Sequence, residues 1–371
     1  MNRTAGLVIT CSWLALCAAA CTDVGSPRSA INGAGSELRP ETAGVAARRA
    51  AQDDAPSKPD PASYRVQEYP MPSPGKGPHD IWIGPDGLVW TSEQASNQVG
   101  AFDPATGNFR FWDVPTSHSG PHGLMVDNQN RLWLTEIDAN RIARFDPVEG
   151  SFVEFSIPTA RSGPHTPIAD GNGLWFAVPV GPDGVWFTEQ SGNQIGFLDA
   201  VSGQVREYQV PTRGAGLYGL SWAPDGSLWF AELQGNRIGR LDVADGTIAE
   251  YEPPTPRQGA RRVAADSEGR IWFTAFTGGY LGMFDPASGS WWEAAPPTRA
   301  SQPYAIAVDR WGVVWFSEFQ PHQLGRFDPE TGEFREYALP SGAGCRTIVT
   351  DAGGTVWCAA SGRDSVIALR P

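Results

Sequence analysis

A tryptophan closing a Leu-Trp, Val-Trp or Ile-Trp pair recurs along the chain as Trp90, Trp133, Trp186, Trp229, Trp272, Trp315 and Trp357, at steps of 43, 53, 43, 43, 43 and 42 residues. A fixed period of this length outranks any local propensity, because each copy is one structural unit that cannot bury its apolar face alone. Every copy carries the same punctuation. A polar turn precedes the tryptophan, as in PDG, NQN, SEG or AGG, a glutamate usually stands three residues after it, and an IGR-like run follows. Six of the seven copies then reach a D-x-x-x-G turn and a short strand ending in proline.

Within a copy the runs are short, rich in Val, Ile, Phe, Trp and Thr, and divided by Gly, Pro, Asp and Asn, which is strand and tight-turn chemistry. In the second copy, residues 120–159, four strands are expected at Gly123–Asp127, Arg131–Glu136, Arg141–Asp146 and Phe152–Ile157. A four-stranded sheet repeated at this period is the blade of a β-propeller. The sequence therefore predicts an all-β, seven-bladed propeller over residues 63–371. Each tryptophan removes roughly 150–250 Å² from water at a blade interface, an upper limit of about 4–6 kcal/mol.

The seventh copy supplies only three strands before the chain ends, and RVQEYPMPS from Arg65 resembles FREYALPS from Phe334 and VREYQVPT from Val205. The strand at Arg65 is thus expected to complete the last blade and fasten the ring. The third copy is ten residues too long and holds a second tryptophan region from Leu174. Aligning GPHTPIADGNG with GPHGLMVDNQN makes His165 the equivalent of His122; counting back from Trp186 gives Trp175 instead. The first alignment is preferred, with the extra residues forming an enlarged loop after the first strand.

Charge narrows the partners. With 28 basic and 41 acidic side chains and a net charge of -13, the chain repels phosphate backbones and anionic bilayers, so nucleic acid is excluded and cationic or neutral ligands are favoured. Residues 1–21 read as an export signal: Arg3, an apolar run from Leu7 to Ala20, and small residues at its end. The stretch Ala18–Cys21 has the pattern of a lipoprotein processing site, with Cys21 as the lipidated residue; an ordinary secretory signal is the other reading. Residues 22–62 lack the apolar content to fold and read as a tether. The expected location is periplasmic or on the outer surface, with contact to a membrane only through a lipid on Cys21. Cys345 and Cys358 are the two cysteines outside the signal; a disulfide and a pair of buried thiols both stand as readings. A ring closed by its own strand hides its edges, so a monomer is expected.

A propeller's channel is lined by the first strand of each blade. Eleven residues before each tryptophan, with the third copy aligned as above, this position reads His79, His122, His165, Tyr218, Arg261, Tyr304 and Arg346. A packing position would hold small or aliphatic residues in several blades, and here every member is polar or ionisable. A second ring, three residues after each tryptophan, reads Glu93, Glu136, Glu189, Glu232, Ala275, Glu318 and Ala360. The two rings are expected to lie together, placing imidazole beside carboxylate in blades 1 to 3, an arrangement suited to proton transfer or to a divalent metal. The competing reading is that the W-x-x-E glutamates serve the turns. His118 and His322 fall in a connection and a loop, and no nucleophile elbow, phosphate loop or short zinc motif occurs.

The reiterated PHG or PYA, LWFTE, GNRIGR and REYxxPT motifs resemble the virginiamycin B lyase (streptogramin B lyase) family over nearly all of residues 64–371. The resemblance implies a carbon-oxygen lyase. A general base removes the proton α to a lactone carbonyl, Mg²⁺ polarises that carbonyl, and the ester bond breaks by elimination. It further implies a histidine in the first ring of one blade, and a second in the next blade with a glutamate two residues before it. The W-x-x-E glutamate of that second blade completes the set. His79 with His122, or His122 with His165, match the pair, and Glu136 or Glu189 the blade glutamate; Gly120 and Gly163 stand where the extra glutamate falls. The expected site is therefore His122 as general base or acid with His79 and Glu136 holding metal or substrate. His165, Tyr218, Arg261, Tyr304, Arg346, Glu93 and Glu189 are expected to contact a small-molecule or cyclic-peptide substrate. The alternatives are an exported propeller that binds a peptide, glycan or cell-wall ligand without turnover, and a lactone hydrolase.

Overall fold

A computed structural model describes residues 57–73, 75–169 and 184–371. The described residues form seven four-stranded antiparallel sheets. Blade 1 comprises the strands Pro78–Ile83, Val89–Glu93, Gln98–Phe102 and Phe109–Asp113; blade 2 comprises Pro121–Val126, Leu132–Glu136, Arg141–Asp146 and Ser151–Ser156. Blades 3 to 7 begin with Pro164–Ala169, Leu217–Trp222, Ala260–Ala265, Pro303–Val308 and Cys345–Thr350. Each of these first strands packs beside the first strands of both neighbouring blades, and blade 7 closes on blade 1, so the seven surround one channel.

The ring is fastened as expected. Arg65–Pro70 pairs antiparallel with Ser365–Arg370, in register from Arg65 with Arg370 to Pro70 with Ser365, as the outer strand of blade 7. The clamp begins earlier than composition indicated. Tyr64 lies 5.1 Å from Trp315 with its hydroxyl bonded to the Gly354 carbonyl, Tyr337 donates to the Pro61 carbonyl, and Lys58 pairs with Asp328 and Glu330. Residues 57–62 are thus held to the body. The export signal, Cys21, the rest of the tether and Trp175 lie outside the described residues.

The seven repeat tryptophans are buried between blades, Trp90, Trp133 and Trp315 completely. The motifs around them explain the punctuation. In GNRIGR the asparagine adopts a left-handed conformation, as at Asn97 and Asn140. Its amide nitrogen bonds two carbonyls of the same blade's exit, and its oxygen takes the amide of Ser119 or Ser162 at the entry to the next. In REYxxPT, the glutamate of one blade receives the backbone amide and hydroxyl of the preceding blade's threonine, as Glu154 does from Thr116 and Glu250 from Thr212. Cys345 and Cys358 form a disulfide between the first two strands of blade 7.

Candidate functional site at the channel mouth

Every first strand slips register against its second strand at the ring position: in blade 2 between Pro121 and Leu124, in blade 1 between Pro78 and Ile81. A bulge there turns a side chain out of the ladder and leaves backbone groups unpaired. Buried orphans of this kind carry a penalty of about 1–3 kcal/mol each. In five of the seven blades the hydroxyl two residues after the tryptophan removes it, as Ser92, Thr135, Thr188, Thr274 and Ser317; blades 4 and 7 have Ala231 and Ala359 there. Thr135 accepts from the Gly123 amide of its own blade at 2.8 Å and donates to the His165 carbonyl of the next at 2.7 Å. Ser92 links the Asp80 amide to the His122 carbonyl in the same way, and Thr188 links Thr166 to Tyr218. Bulge and hydroxyl together fix the ring residues. The link from Thr135 also places His165 at the ring position, in agreement with the preferred alignment of the third copy.

The ring side chains meet one another. The His79 and His122 rings are 3.6 Å apart, His122 and His165 4.1 Å, and His165 and Tyr218 3.8 Å. The Tyr218 and Tyr304 hydroxyls lie 2.6 Å apart, and Arg261 donates to Tyr218 while its guanidinium stacks 3.7 Å from the Tyr304 ring centre and 4.3 Å from that of Phe276. Arg346 completes the circle, bonded through Nε to Ser361 and lying over Phe319. Burial holds all three histidines below the ordinary imidazole range, and the neighbouring imidazoles and arginines add to it, so they are neutral at pH 7. His79 Nδ1 lies 3.0 Å from Asp80 and His165 Nδ1 3.0 Å from Thr166, whereas among the described residues the buried Nδ1 of His122 has no partner in hydrogen-bond geometry, its ring lying beside the His165 backbone.

Behind this ring lies a brace that the sequence reading missed. Arg262 of blade 5 spans the channel to Asp80 of blade 1 at 3.1 Å, and also donates to Thr347 of blade 7 and Thr166 of blade 3. Thr347 in turn donates to the same Asp80 oxygen. Burial opposes the Asp80 charge, but Arg262 and His79 outweigh it and hold the carboxyl well below its usual range. The available signal was one Asp and one Arg, each following a ring residue in a different blade. Nothing in their spacing joins positions 80 and 262.

The second ring does not join the first. Glu136 is fully buried, and its neighbours Glu154 and Arg141 stand on the two outer strands of its own blade. Neither of its oxygens has a donor, and burial, reinforced by the Glu154 charge, pushes it up to about 8, so at neutral pH it carries a proton that faces Glu154. Burial likewise raises Glu232 to about 8, and Glu93, Glu189 and Glu318 to about 7. Glu93 accepts from Thr91 at 2.6 Å, and Glu189 lies beside Ser162 and Glu207. The expected imidazole-carboxylate sector is corrected accordingly: the glutamates are spent within their own blades, Glu136 on Glu154 and Arg141, and Glu93 on Thr91. Among the described residues, the carboxylate bonded to the histidines is Asp80.

The residues expected to hold Mg²⁺, His79 and Glu136, do not fit the ion. Glu136 spends its contacts on Glu154 and Arg141, and among the described residues no three His, Cys, Asp or Glu side chains converge on a metal-holding point. Gly120, where the resemblance implies a second glutamate, has φ 64° and a Cβ there would collide with the Asp138 carboxylate. His118 sits in the connection before Gly120, and His322 takes the left-handed turn position held by asparagine in other blades.

The family model for the virginiamycin B lyase family matches residues 61–181 and 177–370. Two solved structures of virginiamycin B lyase from Staphylococcus aureus are similar, each at 27% identity and TM-score 0.76, covering 83% of this chain and 100% of theirs. One of them is a catalytically inactive histidine-to-alanine variant with quinupristin. A streptogramin B lyase structure matches at 28% identity and TM-score 0.74, over 83% of this chain and 97% of its own. No curated sequence matches. The family match spans the whole propeller, and the chain belongs to the virginiamycin B lyase family.

Proposed function

We propose that the protein is a carbon-oxygen lyase that opens a cyclic depsipeptide or a related cyclic ester, with His122 as the general base. The observation that carries this reading is the His122 imidazole: buried at the channel mouth, neutral, and with no partner in hydrogen-bond geometry at Nδ1 among the described residues. A proton passes from the carbon α to a carbonyl to His122, and its electron pair forms a carbon-carbon double bond to the adjacent carbon. The bond from that carbon to the ester oxygen breaks, and a carboxylate leaves. No water enters the product. Arg261, fixed by three aromatic rings, supplies positive charge toward the carbonyl as negative charge develops on it. The family membership and the solved lyases at 27–28% identity support the reaction class.

Incubation with a streptogramin B antibiotic, followed by mass spectrometry, tests the reading. Elimination opens the ring at unchanged mass, hydrolysis adds one water, and an unaltered ring counts against lyase activity on that substrate. His122→Ala should abolish turnover. A second reading, a propeller that binds without turnover, is favoured by the closed position at Gly120 and predicts binding of the intact ring with no product.

We also propose export, with the body lipid-anchored through Cys21; the Cys345–Cys358 disulfide supports an oxidising compartment. Labelling of expressing cells with a fatty-acid analogue tests the anchor, and a Cys21→Ser protein that still takes up label counts against it.

A further inference from the structure

Between blades 1, 6 and 7 the channel mouth opens into a cavity of about 380 Å³ bordered by Arg346, His79, His322, Gln94, Phe319 and Ser361. No Asp or Glu among the described residues lines it. Among the described residues Arg346 makes no ion pair; it bonds Ser361 through Nε and lies 5.3 Å over Phe319, leaving both terminal guanidinium nitrogens unspent at the cavity. The buried Nδ1 of His322 has no partner either. The rest of the wall is Ala95 and glycine backbone, brought so close that a Cβ on Gly362 would strike the Gly342 carbonyl. A half-buried cation without a counter-ion, in a chain whose net charge is -13, is a site built for an anion rather than for the cationic ligands that the overall charge favours.

We infer that this cavity binds a carboxylate, held by the terminal nitrogens of Arg346 with His322 beside it. A planar fork of donors matches a carboxylate in two-point contact, and a single guanidinium matches a single negative charge. His79 borders the same cavity and stacks on His122. On the ring-opening reading, the carboxylate seated here is the one released when the ester bond breaks; the binding itself does not depend on that reading.

Calorimetric titration of the full chain with N-acetylphenylalanine and with its neutral primary amide tests the inference without reading turnover, so a failed lyase assay leaves its result standing. The acid should bind at least about tenfold more tightly than the amide. Arg346→Gln should erase the preference, and His322→Asn, which restores the residue other blades use in this turn, should reduce it while melting like the parent. If Arg346→Gln fails to fold, Arg346→Lys is read instead and should retain part of the preference. Equal binding of acid and amide, no binding of the acid up to about 10 mM, or a preference unchanged in the arginine variants overturns the inference. Inorganic phosphate displacing the acid more effectively than acetate does would overturn the assignment to a carboxylate.

Discussion

Arg262 reaches across the propeller channel to Asp80, 182 residues earlier in the chain, and closes the gap to 3.1 Å. The pair is buried and shares Thr347 and Thr166, so it ties blades 1, 3, 5 and 7 beneath the histidines. Breaking one side of such a pair leaves an uncompensated buried charge. Asp80→Asn should therefore lose about 3–5 kcal/mol of stability in denaturant titrations, whereas the double replacement Asp80→Leu with Arg262→Met should recover most of it. Because Asp80 is depressed in the folded state, its contribution is present above its ordinary value of 3.8 and drains away as the pH falls below it. A single variant as stable as the parent would show that the brace carries no net energy.

The contrast between this brace and the blades marks what the residues alone disclose. The 43-residue step, the closing strand at Arg65 and the ring register at His165 follow from repetition, since each copy votes on the same pattern. Asp80 and Arg262 occur once each, and only closure of the ring brings them together. The W-x-x-E glutamates were misplaced for a related reason: spacing gives their height on the blade but not the face they occupy. Glu136 stands beside Glu154, and Thr135, one residue earlier, turns to the next blade.

Thr135→Val keeps the side-chain volume and removes the hydroxyl, stranding the Gly123 amide and the His165 carbonyl at 2.8 and 2.7 Å from where it was. A loss of about 1–3 kcal/mol should follow in urea denaturation. The Gly123 amide should also lose hydrogen-exchange protection, while amides in blade 5 keep theirs. Protection at Gly123 equal to the parent's would mean that the bulge needs no hydroxyl.

Glu136 and Glu232 are raised to about 8 by burial and by the paired glutamates, against an ordinary value of 4.5. The folded state then holds protons that the unfolded chain has released. Stability is greatest below about pH 4.5 as far as these groups are concerned, falls as the pH rises toward 8, and levels off above it. Each glutamate contributes a slope of at most about 1.4 kcal/mol per pH unit in that window. Glu136→Gln should flatten one such slope and be more stable than the parent at pH 9. A parent whose unfolding shows no proton release between these limits would contradict the assignment.

Tyr64 joins the closing strand to the blade 6 core, stacked near Trp315 and Tyr337 and 5% exposed. Tyr64→Ala should cost about 3–5 kcal/mol, as for other large buried aromatics. The loss should appear first as faster exchange along Ser365–Arg370, the partner of the closing strand. A change confined to residues 57–62 would instead mean that the clamp is decoration on an already closed ring.

His122 gives the reaction its own pH signature. Burial first, and then the neighbouring His79, lower its proton affinity well below the ordinary imidazole value of 6.5, with Asp80 opposing. A general base must be unprotonated, so kcat/KM should be flat through neutrality and fall only on the acid side of 6.5. Arg262→Met should shift that acid limb upward, because Arg262 is one of the charges that disfavour the imidazolium. The shift separates a base at His122 from a structural histidine, for which loss of Arg262 would lower activity without moving the limb. Stopped assays of ring opening across pH 4 to 9 would read both, and an acid limb centred above 6.5 in the parent would place the base elsewhere than His122.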